Sequence, residues 1–380
     1  MASFLAFVVS APFPTYGQRL DTELSEILND DELPALEALK AAGGTRFPSV
    51  NVTLDKQAGL VNVHFSRELI ASDAQLLRQI SKLGTLFFSL RKQTLSDDQL
   101  HFLEDVGMKG IVIWNQSVTD EGLKTLKRFP KLEQLTLHKT DVTDAGLARL
   151  HEISHLKRVD MEESEITDTG LKHISELNQL ENVHLFHCNE ITDDGIRLLS
   201  SLVNLEKLFL NNNERLTTAS LEKLVSLKKL TRLEIDGMKV NEDDLKHLQA
   251  FSDLERLSIT RTNLTDRGLE HIVILKSLKE LNISQTEITD AGLVVLREMK
   301  QFISLGLSKT EITDDGLAHL SGMKNLRTLH IQSCTHVTDA GLRELQELKN
   351  LTQLAAYGCQ ITDAGCKELE KSLPNLKISR

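Results

Sequence analysis

Histidine and carboxylate side chains recur at matched positions in three successive segments of the chain. They are His138, Asp160, Glu162, His184 and His187. Histidine nitrogens and carboxylate oxygens bind zinc and related metals, and a histidine beside a carboxylate can also transfer protons. If the three segments lie side by side, the preferred interpretation is a solvated surface of mixed charge. The alternative is a metal-binding or enzymatic centre.

A second set of side chains has the chemistry of a binding surface. It combines a row of basic residues, carboxylates two and four positions further along, and aromatic rings. Its members are Arg158, Lys207, Arg232 and Arg256, the acids Asp160, Glu162, Glu234 and Asp236, and His184, Phe186 and Phe209. Aromatic rings flanked by arginine are common anchors of protein interfaces.

The spacing of both sets follows an internal repeat. The unit reads Leu-x-x-Leu-x-Leu-x-x-Thr-x-Ile-Thr-Asp-x-Gly-Leu, and its marker aspartate recurs every 24 or 25 residues from Asp120 to Asp363. Thr218 and Glu242 hold the marker position in two weaker copies. A leucine period of about 20–29 residues predicts a solenoid and overrides any segment-by-segment assignment.

One repeat shows why the unit folds as a strand followed by a short helix. Leu135 and Leu137 alternate with polar residues, which predicts a strand with one buried face. Thr143 is placed to cap a helix, and Asp144 in the first turn favours the positive end of the helix dipole. Gly146 is expected to let the helix pack closely on its neighbour. A single unit cannot bury its own leucines, so the copies must stack.

Residues between the inward-facing leucines must face the other side of the sheet, because strand side chains alternate. The predicted columns run Arg158–Asn182–Lys207–Arg232–Arg256, Asp160–His184–Phe209–Glu234–Ser258 and Glu162–Phe186–Asn211–Asp236–Thr260. The same parity predicts that Phe186, Phe209, Trp114 and Tyr357 project from the sheet rather than into the core.

Composition limits the classes of partner. The chain has 44 Lys and Arg against 55 Asp and Glu, which gives a net charge of −11. This acidic balance argues against a nucleic-acid partner or an anionic membrane surface. No apolar run is long enough to span a bilayer. The sequence has no Walker loop, no dinucleotide-binding Gly-x-Gly-x-x-Gly after a strand and no nucleophile elbow, so we expect no cofactor.

The cysteines follow the repeat. Cys188, Cys334 and Cys359 occupy the position that threonine holds in other copies, and Cys334 and Cys359 lie one repeat apart. A disulfide between these two is one interpretation, although adjacent-strand geometry is often poor for one. The preferred interpretation is a tight column of small Thr, Ser or Cys side chains. Cys366 is predicted to be a buried thiol.

The N-terminal part of the chain departs from the repeat. Residues 1–20 are predicted to be a signal peptide or a disordered start; the apolar run Phe4–Ala11 fits a signal core, but a positive segment before it is missing. An exported and a cytoplasmic location therefore both stay open. Residues 21–56 are predicted to form a terminal cap of a helix and a strand, and residues 57–380 the repeats with a C-terminal cap.

The repeat Leu-x-x-Leu-x-Leu-x-x-[Thr/Cys]-x-Ile-Thr-Asp-x-Gly-Leu resembles the cysteine-containing class of leucine-rich repeats, especially bacterial proteins built from Ile-Thr-Asp-Ala-Gly-Leu units. This resemblance implies an α/β fold, a right-handed leucine-rich-repeat solenoid or horseshoe with a parallel sheet on the concave face and short helices on the convex face. It also implies protein interaction and no catalytic residues. The same class of repeat occurs in F-box ubiquitin-ligase adaptors, but residues 21–47 are too short for an F-box.

Three functional hypotheses result. The first is a non-enzymatic scaffold that binds a protein or peptide ligand on its concave face, through the charged and aromatic set named above. The second is a metal-binding or enzymatic role for the His138–His187 cluster. The third is a substrate-recognition subunit of a ubiquitin ligase, which would require an adaptor-binding segment. The sequence predicts no oligomeric state.

Overall fold

The computed structural model describes residues 50–55, 60–65, 77–78, 85–90, 96–104, 106–114 and 117–380. The chain divides into two compact units, Met1–Gln134 and Leu135–Arg380. The predicted signal or disordered start at residues 1–20 and the predicted cap helix lie outside the described residues. Within the described part, no helix is long and apolar enough to cross a membrane.

In the first unit, a β-hairpin precedes parallel strands. The strands are β1 Val50–Asp55, β2 Leu60–Phe65, β3 Thr85–Leu90 and β4 Gly110–Trp114. β1 pairs antiparallel with β2, whereas β2 pairs parallel with β3 and β3 with β4. Short helices follow at Asp97–Leu100, His101–Leu103, Asp120–Leu123 and Lys124–Arg128.

The second unit is a regular stack of strand–helix repeats. Its strands are β5 Gln134–His138, which begins at the last residue of the first unit, β6 Arg158–Glu162, β7 Asn182–Phe186, β8 Lys207–Phe209, β9 Arg232–Glu234, β10 Arg256–Ser258, β11 Glu280–Asn282, β12 Ser304–Gly306, β13 Thr328–His330, β14 Gln353–Ala355 and β15 Lys377–Ser379. From β6 to β15 each strand pairs in parallel with the next.

A short helix follows each of the strands β5 to β14. The α-helices are Asp144–Leu147, Asp168–Ser175, Asp193–Leu198, Ser220–Lys223, Asp266–Ile272, Asp290–Leu296, Asp314–Ala318, Asp339–Glu344 and Asp363–Ser372. The 3₁₀ segments are Leu150–Glu152, Leu199–Ser201 and Glu242–Ala250. Glu242–Ala250 replaces an α-helix where the marker aspartate is absent.

The repeat leucines form the core between the sheet and the helices. Leu135 and Leu137 are fully buried, and the register places Leu257 of β10 directly against Leu281 of β11. Each buried leucine contributes about 1.5–3 kcal/mol to stability relative to an exposed one. Because the strands are parallel and in register, every leucine meets its equivalent in the next repeat, which is the stacking that the period predicted.

The Thr-Asp pair at each helix start links neighbouring repeats. Thr289 caps its own helix, as predicted for Thr143, by accepting a hydrogen bond from Ala291 N. The marker Asp290 carries a further role that the sequence did not predict. Its Oδ1 accepts from Thr313 N at 2.8 Å, and its Oδ2 accepts from Thr313 Oγ1 at 2.7 Å, in the next repeat. We call this pair of bonds the Asp–Thr staple.

The staple recurs along the stack, including at one of the weaker copies. It joins Asp97 to Thr119, Asp144 to Thr167, Asp168 to Thr192, Asp193 to Thr217, Asp266 to Thr289, Asp314 to Thr338 and Asp339 to Thr362. Glu242 replaces the marker aspartate and still accepts from Thr265 N at 2.8 Å. Hydrogen bonds to a charged acceptor contribute about 1.5–3 kcal/mol each.

The repeat glycine is explained by the staple. A Cβ added at Gly316 would overlap the Asp290 carboxylate of the preceding repeat, and the same holds for Gly292 against Asp266. Close packing of the helix on its neighbour, expected for Gly146, is thus explained at these equivalent positions. Because glycine has no Cβ, it leaves space for the aspartate carboxylate of the preceding repeat.

A left-handed turn follows the strands. Lys139, Glu163, His187, Asn212, Arg261, Gln285, Lys309 and Ser333 all have φ between 49° and 58°, and Gly237 and Gly358 occupy the same place in other repeats. Each backbone N–H at this turn points to the next repeat; Lys309 N, for example, donates to Gln332 O at 2.7 Å. The inter-repeat hydrogen bond holds ordinary residues in a conformation that glycine prefers.

The residues after this turn form the small-residue column that was preferred to a disulfide. Cys334 and Cys359 are both free thiols. Cys334 Sγ lies 3.1 Å from Leu307 O and Cys359 Sγ 3.0 Å from Ile331 O, much as Thr310 Oγ1 donates to Leu307 O. Burial raises the pKa of the Cys359 thiol to about 11, so it is protonated at neutral pH. Cys366 is buried, as predicted.

Candidate functional site

The outward-facing side chains of β6 to β10, with the residues that directly follow those strands, are called the site surface below. The register aligns Arg158, Asn182, Lys207, Arg232 and Arg256 in one column, as predicted. The second column is Asp160, His184, Phe209, Glu234 and Ser258. Phe186 lies directly beside Glu162. Parallel strands about 4.8 Å apart therefore bring all the predicted site residues onto one face.

The predicted basic row is largely neutralised within the protein. Arg158 forms a forked contact with Asp160, with Nη2–Oδ2 at 2.8 Å and Nε–Oδ1 at 2.9 Å. Asp160 is only 4% exposed and also accepts from Thr136 Oγ1 at 3.0 Å. A bidentate arginine–carboxylate pair fixes both side chains. Arg158 and Asp160 are therefore bound to each other, a pairing that the predicted row of basic residues beside carboxylates did not specify.

A second fixed cluster surrounds Arg232. Its Nη2 lies 2.6 Å from Glu234 Oε1, and its guanidinium carbon lies 5.0 Å from the centre of the Phe209 ring. Glu234 also accepts from Asn211 Nδ2 at 2.9 Å. An arginine above an aromatic face gains about 0.5–2 kcal/mol, more as water is excluded. The ion pair and the ring contact together hold Arg232 in one orientation.

Phe209 is not the exposed anchor that parity predicted. Its side chain faces the sheet surface but is only 6% exposed. The His184 ring lies 4.9 Å from it on one side, and Arg232 covers it on the other. The alternation of side chains along a strand predicts on which face of the sheet a residue lies. It does not predict how exposed that residue is, because exposure depends on the size of the neighbouring side chains. Tyr357, by contrast, is 70% exposed.

Phe186 and its neighbours present the accessible aromatic surface. Phe186 is half-buried, and its ring packs edge-on against the exposed His187 at 4.5 Å between ring centres. The centre of the His184 ring lies 6.4 Å from that of Phe186. His184 also packs against the Phe209 ring, which reduces the exposure of the imidazole. Burial lowers the pKa of His184, although Asp160 and other nearby carboxylates oppose that shift. The neutral imidazole therefore acts as part of an apolar patch.

The histidine and carboxylate residues considered as an alternative metal-binding centre contact neighbouring side chains in pairs. His138 Nδ1 lies 3.0 Å from Glu162 Oε2, and Asp160 is occupied by Arg158. Among the residues that the structure describes, no three His, Cys, Asp or Glu side chains are placed to share a metal ion. Burial acts to raise the pKa of Glu162, but its hydrogen bond with His138 and nearby imidazoles hold that pKa below its usual value. The pair is a two-residue contact.

Lys207 and Arg256 are the accessible cations of the site surface. Lys207 is exposed on β8 between the two neutralised arginines. Arg256 lies 3.2 Å from Glu280, with the two side chains 49% and 39% exposed, so solvent weakens that pair. The accessible part of the predicted site is therefore narrower than the sequence indicated.

Asp236 is half-buried against the next strand. Its Oδ1 accepts from Ser258 Oγ at 2.7 Å and from Thr260 N at 2.8 Å. Burial raises the pKa of Asp236, the neighbouring Glu234 adds to the rise, and the hydrogen bonds from Ser258 and Thr260 oppose it. Asp236 thus holds Ser258 and Thr260 in place at the border of the site surface. Because folding raises its pKa, the ionised Asp236 side chain lowers the stability of the folded protein at neutral pH.

Replacing Asp236 by asparagine is expected to stabilise the protein at pH 7. A pKa raised above 3.8 by folding means that stability is full below pH 3.8 and is lost as the pH rises through the folded pKa. Asparagine keeps the Oδ1 acceptor without the charge. The urea midpoint of Asp236→Asn should exceed that of the wild type at pH 7 and match it below pH 3.8. A lower midpoint at pH 7 would contradict this expectation.

Two asparagines support the site surface: Asn211, which belongs to the third predicted column, and Asn213, which the sequence did not indicate as a site residue. Asn211 is 7% exposed; its Nδ2 donates to Glu234, and its Oδ1 accepts from Asp236 N at 3.0 Å. Asn213 is fully buried, accepts from Cys188 N at 2.7 Å and donates to Leu185 O at 3.0 Å. Their signal was the Asn211-Asn212-Asn213 run that breaks the repeat.

Comparisons with known proteins agree with the fold. A leucine-rich repeat family model matches residues 152–175, 178–200, 275–296 and 322–345. The crystal structure of an internalin (inlF) from Listeria monocytogenes is similar with a TM-score of 0.57 and 18% identity, over 92% of this chain and 94% of that chain. An internalin C2 (inlC2) from the same organism aligns with a TM-score of 0.38 and 23% identity, over 49% of this chain and 74% of that chain. No curated protein sequence matches the chain.

The repeat matches and the stacked parallel strands with short helices define a solenoid of repeats. The chain is a leucine-rich repeat protein. Stacked repeats of this kind create extended surfaces that solenoid proteins use for binding.

Proposed function

We propose that the protein is a non-enzymatic scaffold that binds a protein or peptide ligand on its site surface. The observation that carries this proposal is the cluster of Arg232, Glu234, Asn211 and Phe209, whose ion pair, hydrogen bond and ring contact are complete without any ligand. A surface already held in one arrangement loses little conformational freedom on binding, which favours affinity.

The internal pairing also indicates which residues contact the partner. Arg158 is paired with Asp160, and Glu234 is paired with Arg232. These paired side chains provide the rigid part of the site surface. The accessible groups near the centre of the site surface include the Phe186 ring, the His187 imidazole and the Lys207 ammonium. We infer a partner that presents an apolar side chain to Phe186 and a carboxylate to Lys207. Interface energy is usually concentrated in a few such central residues.

The solvent-exposed charge supports a protein ligand rather than nucleic acid. The chain carries a net charge of −11, and the accessible cations of the site surface are Lys207 and the partly paired Arg256. Nucleic-acid binding requires several cations that meet successive phosphates. The paired arginines of the site surface do not provide that row.

The test compares proteins captured by the wild type with those captured by a variant carrying Phe186→Ala, His187→Ala and Lys207→Ala. Phe209 is left intact, because its burial makes it part of the fold. We expect the variant to lose the wild type's specific partners, quantified by mass spectrometry of material captured from the source organism. The matched control carries Val203→Ala, His271→Ala and Lys223→Ala, which lie outside the sheet.

The control variant should retain the same partners. Circular dichroism of all three proteins checks that each is folded. If the site-surface variant captures the wild type's partners undiminished, the proposed binding surface is wrong. If both variants lose them equally, the binding is not specific to this face.

A further inference from the structure

A groove lies in the C-terminal part of the second unit, at the end of the sheet where strands β11, β12 and β13 begin, away from the site surface. It has a volume of about 250 Å³. Its walls come from residues that directly precede β11, β12 and β13, and from the loops of the same repeats. Its lining includes Lys276, Lys279, Ile303, Asn325 and Arg327.

The groove is basic in a chain that is acidic as a whole. Its lining includes the cations Lys276, Lys279 and Arg327 and no carboxylate. Lys279 is partly compensated, because its Nζ lies 2.5 Å from Glu255 in the preceding repeat. Arg327 is exposed and has no acidic partner within 4 Å among the described residues. An arginine fork is well suited to a carboxylate, which it can bind through two parallel hydrogen bonds.

The residue just before each strand differs in charge along the stack. It is Lys157, Glu181, Glu206 and Glu255 ahead of β6, β7, β8 and β10, whereas Lys279 and Arg327 occupy that place ahead of β11 and β13. Lys157 is paired with Glu181 at 2.8 Å, so carboxylates outnumber cations at this position up to β10, and the charged residues at β11 and β13 are cations.

Lys276, which lines the groove, belongs to a row of lysines in four successive repeats. Lys276, Lys300, Lys324 and Lys349 occupy equivalent positions and are all exposed. Lys300 lies 3.6 Å from Glu298, and Lys324 and Lys349 lie 3.9 Å and 3.8 Å from Glu347, at sites where both partners are exposed and solvent weakens the attraction. At about 4.8 Å per strand, the row spans about 14 Å, which an extended hexapeptide of about 20 Å covers.

The backbone beneath the cations is rigid. The carbonyl of Lys279 accepts from the N–H groups of both Ile303 and Ser304, and the carbonyl of Ile303 accepts from those of Arg327 and Thr328. Asn325 Nδ2 donates to Lys300 O at 3.0 Å and so joins two loops that carry the lysine row. Main-chain bonds therefore fix the backbone positions of the cations relative to one another. The exposed ammonium groups of Lys276 and Lys324 also donate to the carbonyls of Val273 and Glu347.

We propose that this groove binds an acidic segment of a protein in extended conformation, with carboxylates placed at Arg327 and along the lysine row. Ile303 provides an apolar floor for the methylene groups of a glutamate side chain. The groove is separate from the site surface, and its binding is measurable without the partner of the proposed function. The two assignments can therefore fail independently.

The test measures binding of a fluorescein-labelled hexaglutamate peptide to the full chain by fluorescence anisotropy at low ionic strength. We expect saturable binding that weakens as salt is added, because exposed charges are screened beyond about 10 Å at 0.1 M salt. A hexaglutamine peptide should not bind. Replacing Lys276 and Arg327 by glutamate is expected to weaken hexaglutamate binding by about tenfold or more.

The matched control carries Lys223→Glu and Arg197→Glu, which make the same change in net charge on the helices. It should change the Kd by less than about twofold. Equal weakening in the control, or no saturable hexaglutamate binding by the wild type, would overturn the proposal. So would saturable binding of inorganic phosphate at this groove without hexaglutamate binding, since the site would then hold a small anion.

Discussion

Replacing Gly316 by alanine is expected to lower the free energy of unfolding by about 2–4 kcal/mol. The new Cβ would overlap Asp290 Oδ1 and approach Leu293 Cδ1 to 3.2 Å. Asp290 would have to leave Thr313, so the variant loses packing and both bonds of one Asp–Thr staple. Urea unfolding, followed by circular dichroism, measures the loss.

Two comparisons isolate the cause of that loss. Gly322 lies six residues further along, and a Cβ there would meet only Lys300 Cε at 3.9 Å, so Gly322→Ala is expected to be nearly neutral. The second comparison is the double variant with Asp290→Ala. If the glycine is required because of the carboxylate, Gly316→Ala should cost clearly less in that background. Strictly additive losses would show that the overlap with Asp290 is not the cause.

The second large effect is expected at Asn213. Changing Asn213 to alanine removes the acceptor of the buried Cys188 N–H and the donor to Leu185 O. A buried polar group left without its partner costs about 1–3 kcal/mol, so we expect a loss of about 2–4 kcal/mol in the free energy of unfolding. The measurement is again the urea midpoint.

Asn204 provides the matched control. It also bridges two repeats, with Nδ2 donating to Asn178 O at 3.1 Å, but that bond is exposed to solvent. Water can replace it, so Asn204→Ala is expected to cost less than about 1 kcal/mol. Equal losses at the two positions would mean that burial does not decide the contribution of these bridges.

The period, the strands and the inward leucines follow from the sequence because each rests on a local rule. Alternation of Leu135 and Leu137 with polar residues defines a strand face, and the period brings equivalent residues together. The Asp–Thr staple was not predictable in the same way. A period shows that Asp290 and Thr313 recur, but it does not show which atoms of neighbouring repeats meet.

For the candidate site, the sequence predicted the columns and not their internal pairing. Arg158 and Arg232 were expected to be available, yet each is bound to the carboxylate two residues further along its own strand. Side chains two apart on a strand point the same way, but only rotamers decide whether they meet. Phe209 illustrates the same limit, because His184 and Arg232 determine its burial.

The staple also has a consequence for the evolution of the array. Most repeats offer a carboxylate on one side and a threonine on the other, so the joint between these copies is directional and head-to-tail. Deleting or duplicating one whole copy would rejoin matching surfaces. The length of the array can therefore change in steps of one unit, while the side chains on the sheet diverge independently.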